Sequence, residues 1–154
     1  MADVHRLALV VAGPDRADDV TQDAFLRAWR ELPRLRDTDR FLPWLRRILV
    51  NVARDGQRGD RRRVRPTTLA NAAAVSEQRA GRDDPALDID RVTDLHRALS
   101  GLTVEQRAVV GLHYLADLTL PDVAASLGIP LGTAKSRLNA GLIVLRRRLG
   151  DHRP

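Results

Sequence analysis

Apolar residues recur at helical spacing in two N-terminal segments of the chain. In the first, the apolar positions are Val20, Ala24, Ala28 and Leu32. In the second, they are Phe41, Leu45, Ile48 and Val52. Spacings of three and four place such residues on one side of an α-helix, so each segment predicts an amphipathic helix. A shorter apolar run, residues 4–11, precedes them and stops at Gly13 and Pro14, a strong stop signal.

The same periodicity fades after Gly56 and returns near Ile89. Glycine and proline punctuate residues 56–85, which predicts a linker with some helix over residues 69–78. Beyond it, the apolar positions are Ile89, Val92, Leu95 and Leu99. Thr103 with Gln106 is a capping-box pattern for a helix that reaches about Ala116. We therefore predict two small helical domains, residues 1–60 and 87–154, with residues 61–86 between them.

The segment from Thr119 to Leu149 has the pattern of a helix-turn-helix. Thr119 and Asp122 form an N-terminal cap, and Gly128 supplies the left-handed conformation of a tight turn. The first helix turns Val123, Ala124 and Leu127 inward, and the buried stripe of the second helix is Ala134, Leu138, Leu142, Leu145 and Leu149. Its other side carries donors suited to base edges and phosphates, namely Thr133, Lys135, Ser136, Arg137 and Asn139. An ordinary helical hairpin with a solvated polar face is the alternative.

Two other polar faces lie on the N-terminal helices. Beside the core stripe of the second helix run Trp44, Arg47, Asn51, Arg54 and Arg58. Such a face could stack on unpaired bases and neutralise phosphates, although a solvated arginine face explains it equally well. On the preceding helix, an acidic face comprises Asp19, Gln22, Asp23 and Leu26. An acidic face of this kind is usually only a solvated surface. Because it would repel DNA, its functional interpretation is protein docking.

Composition narrows the class of protein. The chain is 44% hydrophobic but only 3% aromatic, and an excess of Leu, Val and Ala favours an all-α fold. A net charge of +6, with Lys135 the one lysine, fits a phosphate-rich partner. The sequence contains no cysteine, and its histidines have no ligand spacing, so we expect no metal, no cofactor and no enzymatic activity. With no secretory signal or membrane-spanning stretch, a cytoplasmic location is expected.

Three blocks of the sequence are DDVTQDAFLRAW, FLPWLRRILVNVARD and LTVEQRAVVGLHYLADLTLPDVAASLGIPLGTAKSRL. They resemble conserved blocks of the extracytoplasmic-function (ECF) sigma factors of the sigma-70 family. The resemblance implies sigma domain two, then a connector, then sigma domain four. It also implies binding to the clamp coiled coil and flap of core RNA polymerase, with the acidic face on the clamp. An anti-sigma factor is a common partner in this family.

The resemblance further implies how promoter DNA is bound. Domain four would read the minus-thirty-five element through the polar side of its second helix. Domain two would hold the single-stranded minus-ten element along the Trp44 to Arg58 stripe. A flipped base would enter a pocket near Asn51, formed by a loop that matches Leu35, Arg36, Asp37 and Thr38. The chain would thus direct promoter-specific initiation and help open the DNA.

One departure from the family is the short N-terminus, since only about fourteen residues precede the helix at Asp15. A missing first helix would expose the apolar stripes of both N-terminal helices. The sequence is also compatible with two other functions: a helix-turn-helix regulator that binds duplex DNA without polymerase, and a protein-interaction adaptor with solvated arginine faces.

Overall fold

The computed structural model describes residues 2–63 and 89–150, and these residues form helices and no strands. The all-α prediction is thereby confirmed. The helices are α1 (Ala2–Ala12), α2 (Pro14–Glu31), α3 (Phe41–Arg63), α4 (Ile89–Ser100), α5 (Val104–Tyr114), α6 (Leu120–Leu127) and α7 (Leu131–Gly150). The predicted linker helix over residues 69–78 lies outside the described residues. Within them, no helix is both long and apolar enough to cross a membrane.

Helices α1, α2 and α3 form the N-terminal unit. Gly13 turns the chain between α1 and α2 with a φ of 87°, and Pro14 begins α2, where its missing N–H costs nothing. Helix α1 buries Val4, Leu7 and Val11 and packs on both other helices. The helix before α2 is thus present, and the core residues Val20 and Ala24 of α2 are buried.

Two apolar residues at the ends of the predicted stripes lie outside the core. Leu32 is 40% exposed because α2 ends at Glu31 and Leu32 begins a 3-10 turn. Phe41 is 38% exposed because it is the first residue of α3, and its ring centroid lies 5.9 Å from that of Trp44. The stripe of α3 is otherwise buried as predicted, at Leu45, Ile48 and Val52.

Helices α4 to α7 form the C-terminal unit. The capping box at the start of α5 is present: Thr103 N–H donates to Gln106 Oε1 at 3.0 Å, and Gln106 N–H donates to Thr103 Oγ1 at 3.2 Å. Two predicted core residues, Leu95 and Leu149, are exposed instead. Helix α4 buries its last turn, Ala98 and Leu99, and Leu149 lies in the last turn of α7 beyond the buried Gly141.

The two units lie against each other. Helix α1 packs on α5, and α3 contacts α5 and α6. Buried side chains from both units form one continuous hydrophobic cluster, which includes Leu7 and Val11 of α1 and Leu112 of α5. The sequence pattern predicted both helical units but not this contact between them.

Candidate nucleic-acid interface

The helix-turn-helix is built as its sequence pattern predicts. Thr119 Oγ1 accepts the Asp122 N–H at 3.4 Å and so caps α6, and Gly128 ends that helix with a left-handed φ of 64°. The Ile129 N–H then donates to the Ala124 carbonyl at 3.0 Å, which closes the turn into α7. A feature that the sequence did not reveal is the half-buried His113, whose Nδ1 lies 2.8 Å from the Leu118 carbonyl and ties α5 to the loop before α6.

The five predicted DNA-binding residues of α7 lie in its first three turns. Lys135, Ser136 and Asn139 are exposed, whereas Thr133 and Arg137 are half-buried. The Ser136 hydroxyl donates to the Thr133 carbonyl at 3.1 Å, inside the helix. Arg137 Nη1 is buried with no hydrogen-bond partner among the described residues. The exposed part of this face therefore carries the amine of Lys135, the amide of Asn139, and the Ser136 hydroxyl, whose proton is engaged within the helix.

The stripe on α3 also divides by exposure. Arg47, Asn51 and Arg58 are exposed, while Trp44 and Arg54 are half-buried. Trp44 packs against the hydrophobic cluster and against Phe41, so part of its ring serves the fold. Further arginines follow the stripe along the chain, and their side chains lie outside the described residues: Arg61, Arg62, Arg63 and Arg65.

The loop that the family resemblance links to a flipped base leads directly into α3. Leu35 is half-buried, and Arg36, Asp37 and Thr38 are exposed. Asp37 Oδ1 accepts the Asp39 N–H at 3.0 Å and thereby caps a 3-10 turn, and its Oδ2 lies 3.3 Å from Arg40 Nε. These contacts engage the Asp37 carboxylate within the loop. Its neighbours Arg36 and Thr38 are exposed and could contact a ligand.

The acidic face of α2 is exposed at all four predicted positions, namely Asp19, Gln22, Asp23 and Leu26. It continues for one more turn to Trp29, which is 78% exposed and which the sequence reasoning missed. Trp29 follows Leu26 by three residues, the spacing that places two side chains side by side on a helix. An exposed tryptophan next to an exposed leucine is typical of a protein-binding surface.

The junction of the two units carries several arginines from both. Arg54 Nε of α3 lies 3.5 Å from Glu105 Oε1 of α5. Burial lowers the pKa of Arg107 on α5, the charge of Arg16 lowers it further, and Glu105 opposes both. Arginine nevertheless stays charged at neutral pH. The junction thus brings guanidinium groups of the α3 stripe and of the C-terminal unit close to the same carboxylate.

Comparisons with known proteins identify the family of both helical units. Residues 1–63 match the model of Sigma-70 region 2, and residues 93–145 match that of Sigma-70, region 4. The ECF RNA polymerase sigma factor SigM of Mycobacterium tuberculosis is 35% identical over 96% of this chain and 71% of its own length. The chain belongs to the ECF sigma factors of the sigma-70 family.

Two further relatives extend the comparison. The probable RNA polymerase sigma factor RfaY of Xanthomonas campestris is 32% identical over 86% of this chain, which spans about a third, 34%, of that protein. The solved structure of the sigma factor RpoE in complex with the anti-sigma factor NepR from Bartonella quintana has a TM-score of 0.73 and 25% identity, and the match covers 97% of this chain and 91% of that one.

The two family matches divide this ECF sigma factor along its helices. Region 2 ends at residue 63, the last residue of α3, and includes both the acidic face and the α3 stripe. Region 4 begins inside α4 and ends inside α7, so it includes α6, the turn and most of α7. Each candidate surface therefore belongs to a single region, and the two candidate DNA-binding surfaces belong to different ones.

Proposed function

We propose that this ECF sigma factor binds core RNA polymerase and directs promoter-specific initiation by recognising both promoter elements and helping to open the DNA. The single observation that carries the proposal is the presence of three separate exposed surfaces on the two regions: the acidic face of α2, the stripe on α3, and the polar side of α7. Each surface suits a different partner: polymerase for the acidic face, single-stranded DNA for the α3 stripe, and duplex DNA for the polar side of α7.

The face of α2 is the proposed polymerase contact. Asp19, Gln22, Asp23 and Leu26 dock on the clamp coiled coil, and Trp29 extends this contact. Anionic side chains repel DNA, whereas a rim of carboxylates around apolar anchors suits a protein partner. Region 4 contacts the polymerase flap, and an anti-sigma factor masks the chain when transcription is not required.

The two remaining surfaces bind the promoter. Helix α7 enters the major groove of the minus-thirty-five element through Thr133, Lys135, Ser136, Arg137 and Asn139. Residues 35–38 and the α3 stripe hold the minus-ten strand after opening. A flipped base costs a few kcal/mol of unstacking, which contacts such as those of Asn51 must offset. The chain acts by binding alone, without catalysis or cofactor, in the cytoplasm.

A fragment-retention experiment tests the proposal. Sheared genomic DNA is incubated with the purified chain, with core polymerase, and with both, and the retained fragments are sequenced. We expect specific retention only when both proteins are present, on fragments that share two elements at a fixed separation. Retention of the same fragments by the chain alone would support the duplex-binding regulator instead. No enrichment by the pair would support the adaptor.

A further inference from the structure

The C-terminal end of α7 is fastened to the turn between α4 and α5. Arg148 Nη1 donates to the Arg97 carbonyl at 3.2 Å, and the Ser100 hydroxyl donates to the same carbonyl at 2.7 Å. The backbone N–H of Gly101 donates instead to the Ala98 carbonyl. Carbonyls in the last turn of a helix lack partners within that helix, and a cation beside them is favourable. The Arg148 guanidinium therefore caps the C-terminal end of α4.

Gly101 makes room for this contact. A β-carbon at Gly101 would lie 2.8 Å from Arg148 Nη2, well inside the distance at which nonbonded atoms pack. The guanidinium group thus lies directly on the backbone of the α4–α5 turn. A side chain at residue 101 would displace it, and only the flexible end of Arg148 would have to move.

The middle of α7 crosses α5 at the buried Gly141. A β-carbon there would lie 3.3 Å from both Leu102 Cδ2 and Val110 Cγ2. Arg148 lies about 10 Å along the axis on one side of this crossing, and residues 133–139 lie about 3 to 12 Å away on the other, at about 1.5 Å per residue. A rigid helix that tilts about Gly141 therefore moves its DNA-binding end about as far as its Arg148 end.

We propose that Arg148 is a positioning residue for promoter recognition, which fixes the tilt of α7 and thereby the placement of residues 133–139. The proposal rests on the proposed function, because it takes the polar side of α7 as the surface that reads duplex DNA. Hydrogen bonds to base edges need donor–acceptor distances of about 2.7 to 3.2 Å, so a displacement of about 1 Å weakens discrimination between bases. Arg148 lies beyond residues 93–145, which match region 4.

The discrimination of the holoenzyme between upstream elements tests this role. Core polymerase with each variant transcribes a promoter mapped with the wild-type chain, and the same promoter with single-base changes in its minus-thirty-five element. The ratio of the two yields measures discrimination. A variant that only folds less well lowers both yields alike and leaves the ratio unchanged.

We expect Arg148→Met to lower this ratio by about threefold, the effect of one weak hydrogen bond. Arg148→Lys keeps a charged donor and should restore most of the ratio. Arg147→Met removes the same charge from the neighbouring exposed residue and should match the wild type. An unchanged ratio in Arg148→Met, or an equal loss in Arg147→Met, would overturn the proposal.

Gly101→Ala displaces the guanidinium group without removing it. Gly101 does not have a positive φ, so its backbone accommodates alanine. This variant should lower the ratio as Arg148→Met does, and the two changes together should lower it no further. Gly150→Ala, with nothing within 4 Å of its β-carbon, is the control. A wild-type ratio in Gly101→Ala, or losses that multiply in the double variant, would contradict the proposed contact.

A distance measurement on the full chain does not depend on the proposed function. Because the chain contains no cysteine, Leu95→Cys on α4 and Gly132→Cys on α7, both exposed, place one spin label on each helix. Electron double resonance should give a broader or shifted distance distribution with Arg148→Met, and Arg148→Lys should reverse the change. An unchanged distribution would overturn the positioning role. If the wild-type holoenzyme did not discriminate between upstream elements, the proposed function would fail, and the label distances would still test the contact.

Discussion

Arg54 Nε lies 3.5 Å from Glu105 Oε1, and this ion pair joins the helix assigned to the minus-ten strand to the first turn of α5. The two side chains are 26% and 31% exposed, so water screens the pair only in part. Pairs of this kind contribute up to about 1 kcal/mol. A phosphate that approaches Arg54 would compete with the Glu105 carboxylate for its guanidinium charge, so strand binding and this contact between the regions oppose each other.

Glu105→Gln should therefore strengthen binding of single-stranded minus-ten DNA to the free chain, by up to about fivefold if the pair contributes about 1 kcal/mol. Fluorescence anisotropy with a labelled oligonucleotide measures the change. Asp94→Asn removes the same charge from α4, where Asp94 pairs with Arg97 of the same helix at 3.0 Å. If both variants bind alike, net charge explains the effect and the Arg54 pair does not.

Asn51→Ala should impair promoter opening more than initial binding. Asn51 is exposed on α3, so its loss leaves the core of region 2 intact. One or two lost hydrogen bonds to an unpaired base correspond to about 1.4 kcal/mol, or about tenfold in activity on a duplex promoter. On a template with a pre-melted minus-ten element the deficit should shrink. A deficit of the same size on both templates would argue against a role in opening.

Arg137→Ala should reduce transcription from promoters that depend on the upstream element. A bidentate contact from arginine to a guanine contributes about 1 to 3 kcal/mol to discrimination. Arg146→Ala is the matched control, since Arg146 is exposed on the same helix nine residues further on, about 14 Å along its axis. The transcript yields of the two variants are compared on such promoters. Equal yields would show that Arg137 does not read DNA.

Trp29→Ala should weaken the affinity for core polymerase by more than about tenfold without lowering the stability of the chain. The ring is 78% exposed, so its removal creates no cavity, whereas an aromatic anchor in an interface often contributes about 2 kcal/mol or more. Competition against labelled wild-type chain measures the affinity, and thermal unfolding measures the stability. Arg30→Ala, an exposed neighbour on α2, is the control. An unchanged affinity for core polymerase would show that Trp29 is not part of the docking face.

The sequence predicts local structure well where one residue type has one physical role. Thr103 and Thr119 cap α5 and α6, and Gly128 takes the left-handed turn, because each of these roles depends on a few neighbouring residues. Helical periodicity likewise predicts the buried side of α2 and most of that of α3. It is less informative at helix ends, where Leu32 and Leu149 turn out to be exposed.

Contacts between the regions could not be predicted in this way. Periodicity indicates that α1 has an apolar face but does not identify the helix that covers it. The approach of Leu7 to Gly111 and of Arg54 to Glu105 joins residues far apart along the chain, across the segment with no periodicity. The DNA-binding and docking residues stay predictions, since their exposure is compatible with the proposed roles and with a solvated surface alike.

Mapping of transcript starts tests the central claim most directly. Core polymerase transcribes genomic DNA with and without the purified chain, and the 5′ ends of the products are sequenced. The account predicts new starts that appear only when the chain is added and that share minus-thirty-five and minus-ten elements at a constant spacing. An unchanged set of starts, with a chain shown to be folded, would contradict it.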